Sequence, residues 1–580
     1  MMPYKNLTKE QIKAVEFTGN LLLTACPGSG KTKALVSKLF YLIDNKIHLE
    51  FGKRLVIAIT YTNIAADTII QRLGEFGISS NSLWVGTIHS FCLKWIIKPN
   101  QNKIKRLCKG FVIVDEYEKE VIVDEIKNKF NHKGKDAIVT GLNANYEPIY
   151  ELGTIEYKIV TEYHSYLRRN KSIDFDLILN ISNKLLRENE EIAIRLGGLI
   201  YHMLIDEYQD TNSIQYEIVR MISSSKKTTL TFIGDVEQAI YTGLGAEVKN
   251  KTELQSFFGF PSLTELKLTG CFRSSQRIVD FYTKYQDSGY KINSLSKLKN
   301  FPSVTHLERD IELNQLATYV SDIVHNHMQQ GISENEIVIL CSSWYDVQRL
   351  SKEIDILDTK FKINGFLISP IPKNQDNIWL DLIKLYLTPP SPESYTLRGH
   401  ISLRLSENLQ DIYGVTPTLL PKKILKNINS ISIQEEDICS WIESLINSFC
   451  RQSSIELLNS LGEKNKNSLI TSTEERIKKY SFAYTSSDLP RFFSNPAGVK
   501  ITTNHSTKGD EYDVVICTGL LKGKVPHWGD IIGCSDTHQN YTARRLLYVI
   551  ASRARKHLYF ISEKGHKTQK GNNYAPTEQI

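Results

Sequence analysis

The stretch that decides the fold is residues 21–32, LLLTACPGSGKT. An apolar, β-prone run ends in a glycine-rich loop, and the helical pattern KALVSKLFYLI follows at once. This is the strand, loop and helix context of a phosphate-binding P-loop, whose backbone N–H groups surround phosphate while a lysine reaches the β and γ phosphates. The candidate nucleotide-binding residues are Pro27, Gly28, Ser29, Gly30, Lys31 and Thr32, with the Thr32 hydroxyl as a Mg²⁺ ligand. The alternative is a chance glycine-rich turn.

Short β-prone runs recur on both sides of this loop, and longer helical patterns follow them. Alternation of this kind predicts an α/β fold with parallel sheets. The runs are LLLTA (21–25), LVIAIT (55–60), HMLID (202–206), LTFIGD (230–235), EIVILC (336–341), VKITT (499–503), DVVICTG (513–519) and HLYFIS (557–562). A chain of 580 residues exceeds what one hydrophobic core organises, so we expect about three to five domains or subdomains.

Two intervening stretches, about 93–195 and about 385–495, have few strand-like runs and many amphipathic ones. Examples are EKEVIVDEIKNKF and SIQEEDICSWIESLINSF. These patterns predict mainly helical insertions. The loop-forming segment PPSPES at 389–394 is the expected entrance to the second insertion.

The composition is that of an ordinary globular protein, with 41% hydrophobic and 23% charged residues. There is no apolar run of the ~20 residues needed to cross a bilayer. The first residues, MMPYKNLTKEQ, lack the regions of a secretory signal, and the nine cysteines contain no CxxC pair. We therefore expect a reduced, cytoplasmic protein without a membrane partner. The net charge of +7 fits a polyanionic partner but equally fits a solvated, Lys-rich surface.

Two acidic pairs compete for the second element of the P-loop site, where one carboxylate binds Mg²⁺ and another orients water. MLIDEYQD offers Asp206 and Glu207, and FVIVDEYEKE offers Asp115 and Glu116. Both pairs follow an apolar run, but the first continues into QDT and the second into a charged helical pattern. We assign Asp206 and Glu207 to catalysis and expect the other pair to begin a solvated helix.

Four further blocks follow the P-loop: DEYQDTN, GDVEQAIY, TTNHSTKGDEYD and RRLLYVIASRARKHLY. Together and in this order they resemble the motifs of the UvrD/Rep/PcrA branch of superfamily-one helicases. The resemblance spans nearly the whole chain. It implies two RecA-like P-loop NTPase domains, each with a mainly helical insertion, that bind ATP and Mg²⁺ between them.

The resemblance also implies roles for residues outside the P-loop. LTKEQIKAV resembles the Q motif, whose glutamine recognises adenine, so Gln11 is the candidate; the alternative is a surface helix residue. In GDVEQ, Asp235 would support the metal site and Gln238 would sense the γ-phosphate.

Two arginines and one glutamate complete the implied ATP site. Arg273 in CFRSS and Arg553 in ASRARK match the family's γ-phosphate arginines, and Glu511 in KGDEYD resembles the residue that meets the nucleotide sugar. A fixed fork of N–H donors suits arginine to phosphate, although a lone arginine would more often be a surface residue. Since Lys31 belongs to one core and Arg553 to the other, bound ATP would join the two.

Single-stranded nucleic acid is usually held by backbone contacts and by aromatic faces on which bases stack. The resemblance assigns DNA contacts to ITYTNIAADTIIQRL, VGTIHSF and TTNHSTKG, and to the tyrosine of QAIY. The candidates are Tyr61, Thr62, Asn63, Thr87, His89, Phe91, Tyr241, Thr503 and His505. Taken singly, aromatic residues such as Phe91 and Tyr241 are more often part of a core, and the alternative for His89 and His505 is that of hydrogen-bonded internal histidines. The expected partner is single-stranded DNA with its duplex junctions.

Several positions depart from the family's pattern. After Tyr241 the family continues with an aromatic residue and an arginine, whereas this chain has Thr242-Gly243-Leu244. The other departures are Ile64 for the motif Ia lysine, Cys271 and Phe272 for the motif IV asparagine and tyrosine, and Tyr541-Thr542-Ala543 in place of acidic residues before the motif VI arginines. None removes a central catalytic group. They bear on DNA affinity and on the coupling of hydrolysis to movement.

The expected domain limits follow from these patterns. The first core comprises 1–92 and 196–280 with an insertion at 93–195, and the second comprises 281–384 and 496–580 with an insertion at 385–495. The implied activity is ATP-driven movement 3′ to 5′ along single-stranded DNA, with duplex unwinding.

Two alternatives stay open at this point. The first is a nucleic-acid-sensing ATPase subunit that regulates a partner nuclease in anti-phage defence, as in Gabija-type systems. Two features favour it: the altered sequence after Tyr241, which lies in the family's motif III, and a second insertion that is short beside the family's usual regulatory subdomain. The second is an RNA helicase, although DEYQDT differs from the DEAD and DEAH forms of those families.

Overall fold

The computed structural model describes residues 6–45, 54–77, 82–114, 116–132, 138–143, 145–225, 227–240, 245–357, 359, 361–364, 369–372, 377–392, 394–413, 419–456, 460–480, 484–493, 498–527, 531, 535–568 and 571–580. Two six-stranded parallel sheets organise these residues.

The first sheet has the strand order β3-β2-β6-β7-β1-β8. Its strands are β1 (Leu21–Ala25), β2 (Leu55–Thr60), β3 (Leu83–Thr87), β6 (Ile200–Asp206), β7 (Thr229–Gly234) and β8 (Thr264–Leu268). Every residue of β1 and β6 is buried, as expected for parallel strands that helices cover on both faces. The carboxyl ends of β1, β6 and β7 therefore meet at one edge of the sheet, which is where ligands bind in such folds.

Five helices flank this sheet. They are α1 (Lys9–Glu16), α2 (Lys31–Asp44), α3 (Asn63–Glu75), α9 (Ser213–Ser223) and α10 (Lys251–Phe258). Polar side chains define where they begin: Thr8 and Asn212 both form capping boxes with a glutamine three residues on, which satisfies backbone N–H groups that the helix leaves unpaired.

The first insertion lies between β3 and β6. It contains α4 (Ile88–Phe91), a π-helix (Cys92–Ile97), a 3₁₀ helix (Lys98–Lys103), β4 (Val112–Ile113), α5 (Glu116–Lys129), α6 (Ile155–Arg169), β5 (Ser172–Ile173), α7 (Phe175–Glu188) and α8 (Glu190–Leu199). Its buried side chains, such as Ile159 and Leu177, form one continuous cluster with Ile57 and Met203 of the first sheet. The insertion therefore shares the hydrophobic core of the sheet that it interrupts.

The second sheet has the order β11-β16-β15-β12-β14-β13. Its strands are β11 (Thr305–Glu308), β12 (Ile337–Cys341), β13 (Ile363–Asn364), β14 (Val499–Thr503), β15 (Tyr512–Cys517) and β16 (Ala554–Ile561). It packs against α11 (Gln276–Tyr282), α12 (Leu316–Gln329), α13 (Trp344–Ile356) and the final helix, Asp536–Ala551. A short parallel pair, β9 (Gly270–Cys271) and β10 (Asn293–Ser294), lies between the two sheets in the chain.

The second insertion has a hydrophobic core of its own. Its helices are α14 (Ile378–Leu387), α15 (Tyr395–Tyr413), α16 (Pro421–Asn429), α17 (Ile438–Ser453), α18 (Ser460–Tyr480) and α19 (Pro490–Phe493). Trp379 of α14 is fully buried in this core beside Ile442 and Phe449. Because α14 belongs to the insertion, its entrance precedes α14, and the expectation that PPSPES marks it is wrong.

Other expected limits also fall inside elements. The limit at 92/93 lies in the π-helix, 195/196 in α8 and 280/281 in α11. A helix is a single rigid unit, so the changes between cores and insertions lie a few residues from those positions.

The predicted fold class, α/β with two parallel RecA-like sheets, is confirmed. Each of the predicted β-prone runs coincides with a strand. No helix among the described residues is long and apolar enough to cross a membrane.

Candidate functional site

The glycine-rich loop lies directly after β1, and α2 begins at Lys31. Gly28 and Gly30 have φ angles of +69° and +75°, a left-handed conformation that glycine adopts without steric cost. A Cβ on Gly28 would lie 2.6 Å from Cβ of Arg273, and one on Gly30 would lie 2.7 Å from Nε2 of Gln11. Both glycines are therefore required by conformation and by close packing. The loop presents Pro27, Ser29 and Thr32 around the first turn of α2.

The two carboxylates that the sequence assigns to catalysis lie opposite this turn. Asp206 ends β6, and Glu207 follows it with a φ of +52°, a strained backbone conformation of the kind that concentrates at functional sites. Nζ of Lys31 donates to Oε1 of Glu207 and lies 3.7 Å from Oδ1 of Asp206. The P-loop lysine thus forms ion pairs with both carboxylates of the assigned acidic pair.

Burial and these ion pairs give the two carboxylates different pKa values. Burial raises the pKa of Asp206 to about 6, against the opposing effect of Lys31. Burial acts in the same direction on Glu207, but Lys31 and Lys508 outweigh it and lower that pKa to about 2. The pKa of Lys31, which burial alone would lower, is raised above its ordinary value by the carboxylates. At neutral pH Glu207 is firmly ionised, as a group that orients water must be.

A glutamine links the carboxylate of Glu207 to the end of β7. Nε2 of Gln209 donates to Oε2 of Glu207 at 2.7 Å, and Oε1 of Gln209 accepts the backbone N–H of Asp235 at 3.1 Å. Asp235 is fully buried and accepts from Nε2 of Gln238 at 2.8 Å. In the sequence, Gln209 serves only as part of the QDT that distinguishes the two acidic pairs, and no role of its own is assigned to it there.

Arg553 of the second core reaches this network across the cleft. It is 2% exposed, and Nη2 donates to Oε1 of Gln238 at 2.8 Å. Burial and the nearby charge of Arg273 lower the pKa of Arg553 to about 9, so the guanidinium lies in an environment where an anion would be favourable. The prediction that Gln238 and Arg553 share one site agrees with this geometry.

Arg273 lies against the other side of the P-loop. Its Nε donates to Oε2 of Glu511 at 2.6 Å and its Nη1 to the carbonyl of Ser552 at 2.9 Å. Arg273 and its neighbours lower the pKa of the Glu511 carboxylate despite its partial burial. The structure brings Arg273, Glu511 and Arg553 to the same cleft as Lys31.

A second connection between the cores was not expected from the sequence. Nζ of Lys508 donates to Oδ2 of Asp210 at 2.6 Å and to the carbonyl of Gln238 at 2.9 Å. The Asp210 side chain is inaccessible to solvent. Lys508 lies in the block TTNHSTKGDEYD, but a single motif does not indicate which residue of the other core its lysine will contact.

Gln11 supports the P-loop directly. It is 2% exposed, its Nε2 donates to the carbonyl of Ser29 at 2.9 Å, and its Oε1 accepts the N–H of Thr8 at 3.0 Å. The alternative of a surface helix residue is therefore wrong. Of the competing acidic pair, Asp115 lies outside the described residues, and Glu116 begins α5 of the first insertion.

The DNA-binding candidates after β2 are accessible. Tyr61 is 47% exposed, and Thr62 and Asn63 are exposed as well. The Thr62 hydroxyl accepts the N–H of Ala65 at 3.1 Å and so caps α3. Tyr61 offers an aromatic face at the carboxyl edge of the first sheet.

The candidates after β3 are mostly held in the protein interior. Phe91 is fully buried and its ring packs edge-on against Trp84 at 5.8 Å; the prediction that it stacks on a base is wrong, because it has no accessible face. His89 packs against Phe175 at 5.5 Å, and burial lowers its pKa to about 4. Thr87, 8% exposed, caps α4 through the N–H of Ser90.

The remaining candidates differ among themselves. Thr503 is 8% exposed and its hydroxyl is hydrogen-bonded to that of Ser506 at 2.7 Å, whereas His505 is exposed. Tyr241 and the departure at 242–244 lie outside the described residues.

The donor set at the cleft fits Mg²⁺, which proteins usually bind through one or two carboxylates together with substrate phosphates. Asp206 and the Thr32 hydroxyl, the two ligands expected from the sequence, would offer oxygen atoms to the metal. Among the described residues, no group of three or more His, Cys, Asp or Glu side chains is arranged to hold a metal ion.

Comparison with known proteins gives a consistent result. Residues 7–259 match the UvrD/REP helicase N-terminal domain, and residues 452–565 match the UvrD-like helicase C-terminal domain. The ATP-dependent DNA helicase Rep of Buchnera aphidicola is 25% identical, over 96% of this chain and 94% of its own length. The ATP-dependent DNA helicase PcrA of Staphylococcus aureus is also 25% identical, over 96% of this chain and 83% of its own length.

Proposed function

The chain belongs to the UvrD/Rep helicase family, and from this premise we propose that it uses ATP to move 3′ to 5′ along single-stranded DNA and to separate duplex strands. The names of its relatives support ATP and DNA as substrates. The observation that carries the proposal is the hydrogen bond from Arg553 to Gln238, because it joins the two cores beside the P-loop. A motor of this kind needs a nucleotide site that senses the separation of its cores.

Each group of the cleft has a task in phosphoryl transfer. Lys31 pairs with the β and γ phosphates, Glu207 orients the attacking water, and Arg273 and Arg553 stabilise the negative charge that develops on the transferred group. Thr32 and Asp206 would hold Mg²⁺, which would supply further positive charge beside the phosphates. Gln209 keeps the Glu207 carboxylate in place through its 2.7 Å hydrogen bond.

The ion pair between Lys31 and Glu207 gives ATP binding a second effect. Lys31 can contact phosphate only by giving up at least part of its contact with Glu207. The carboxylate then becomes available to a water molecule, while Gln209 still restrains it. Binding of the substrate and readiness of the general base are thereby linked.

Hydrolysis changes the contacts between the cores. The γ-phosphate attracts Lys31 from one side and Arg553 from the other, so its loss removes a shared ligand and favours opening of the cleft. Gln238 contacts both Asp235 and Arg553. Opening of the cleft therefore alters the contacts of Gln238 and, through the backbone, the segment that precedes Tyr241. Alternation between closed and open states then advances the strand.

Strand displacement with 3′-tailed and 5′-tailed duplexes tests the proposal. We expect ATP-dependent separation of the 3′-tailed duplex and little separation of the 5′-tailed one, with Lys31→Ala as the inactive control. Separation of the 5′-tailed duplex alone would contradict the direction. Hydrolysis stimulated by single-stranded RNA but not by single-stranded DNA would contradict the substrate.

A further inference from the structure

Two adjacent aromatic side chains are strongly exposed where α13 begins. Trp344 is 52% exposed and Tyr345 is 74% exposed. Single exposed apolar residues are ordinary on protein surfaces, but neighbouring Trp and Tyr side chains form the kind of platform on which single-stranded nucleic acids stack their bases.

The aromatic pair follows a loop that begins beside one of the loops proposed to contact DNA. Cys341, the last residue of β12, pairs in register with Thr503, the last residue of β14. Neighbouring strands lie about 4.8 Å apart, so the loop that leads to Trp344 begins beside the loop that leads to His505. Both loops leave the carboxyl edge of the second sheet, and the aromatic pair extends the surface to which His505 belongs.

A buried carboxylate holds the loop in place. Asp346 is 5% exposed and accepts the hydroxyls of Ser342 at 3.0 Å and Ser343 at 2.7 Å. It also accepts Nζ of Lys524 at 3.0 Å, which comes from the loop after β15. These contacts fix the start of α13 against a neighbouring loop. A platform fixed in this way loses little conformational entropy when it binds a ligand.

We propose that Trp344 and Tyr345 form a base-stacking platform for single-stranded DNA on the second core, an inference that rests on the function proposed above. The platform supplies stacking that the Thr242-Gly243-Leu244 sequence does not. Because every base has a π face, it accepts DNA without regard to sequence.

Titration of a fluorescent oligo(dT) with the full chain tests the platform. Trp344→Ala and Tyr345→Ala should each weaken binding by about 5- to 150-fold, the range expected for loss of one stacked base. Trp344→Phe should retain most of the affinity, because it keeps an aromatic face. Ile356→Ala, at the far end of the same helix and 82% exposed at that position, should bind as the unmodified protein does.

An oligomer with abasic sites separates stacking from other contacts. The unmodified protein should bind it more weakly than oligo(dT), and the Trp344→Ala, Tyr345→Ala double variant should discriminate less between the two. The slope of affinity against salt concentration should be the same in both proteins, since stacking releases no counterions.

Some outcomes would overturn the platform. An unchanged affinity of the folded double variant for oligo(dT) would contradict the proposal. If self-association or protein binding changed instead, the aromatic pair would belong to a protein interface. If the unmodified protein binds no single-stranded DNA, the proposed function fails and the platform with it; in the other cases only the platform fails.

Discussion

The nucleotide cleft and the strand-binding surface differ in how their side chains are held. In the cleft Asp206 and Arg553 are buried and Lys31 is half-buried, and the partners of these charged groups are one another or neighbouring polar groups. Among the proposed strand-binding candidates, some are exposed, as Tyr61 is, some serve as helix caps, as Thr87 does, and Phe91 lies in the core. A buried charge needs a partner or a ligand, so its residue type already indicates a role. A hydroxyl at the end of a strand can either cap the next helix or bind DNA. Its residue type therefore does not distinguish these two roles.

The largest expected effect is that of Lys31→Ala. The substitution removes the cation that pairs with the phosphates, so DNA-stimulated ATP hydrolysis should fall to background. Thermal melting should show that the variant is folded. Near-normal turnover by the folded variant would mean that the P-loop is not the nucleotide site.

Arg553→Ala should lower kcat by about 10³-fold, the lower end of the range for an arginine that stabilises the transferred phosphoryl group. The matched control is Arg277→Ala, an exposed arginine on α11, which should leave turnover unchanged. Steady-state hydrolysis at saturating ATP and DNA measures both. Equal rates of hydrolysis in the two variants would mean that the second core contributes no group to hydrolysis through Arg553.

Glu207→Gln should slow hydrolysis by about 10²-fold or more, as expected for loss of a group that orients or deprotonates water. It should still bind ATP, because Lys31 and the P-loop backbone remain. Binding of a fluorescent ATP analogue and single-turnover hydrolysis separate the two effects. Glu116→Gln is the control and should change little; the reverse pattern would mean that the acidic pairs were wrongly assigned.

The smallest expected effects distinguish two candidates of the proposed strand-binding surface, one exposed and one buried. Tyr61→Ala should weaken single-stranded DNA binding by about 5- to 150-fold, since it removes an accessible aromatic face. Phe91→Ala should instead lower the free energy of unfolding by about 3–5 kcal/mol, because Phe91 lies in the core. Anisotropy titration and denaturant unfolding measure the two. Weaker DNA binding by Phe91→Ala at unchanged stability would restore its predicted role.

The sequence predicts the central strands of both sheets better than their edges. β1, β6 and β12 are buried along their whole length, so they form continuous apolar runs. β8 and β11 are edge strands with exposed or half-buried positions, and their composition does not differ from that of loops. The edge strands were therefore missed for a physical reason, which is that half of their surface meets solvent.

The candidate ATP site divides in a similar way. The residues proposed to hold phosphate and metal fall in short motifs, because they must lie on one loop or at one strand end. Contacts between the cores, such as Lys508 with Asp210, join residues far apart in sequence. Their pairing depends on how the two sheets face each other, which no local pattern records.

The central claim is that one ATP site is built from both cores, and a double-substitution cycle tests it most directly. Glu207→Gln and Arg553→Ala are combined, and single-turnover hydrolysis is measured for both single variants and the double variant with saturating ATP and oligo(dT). Residues that act on the same reacting phosphate show strongly non-additive effects, so the double variant should be within about tenfold of Arg553→Ala alone. A loss close to the product of the two single effects, about 10⁵-fold, would mean that the two residues act independently and would contradict a shared site.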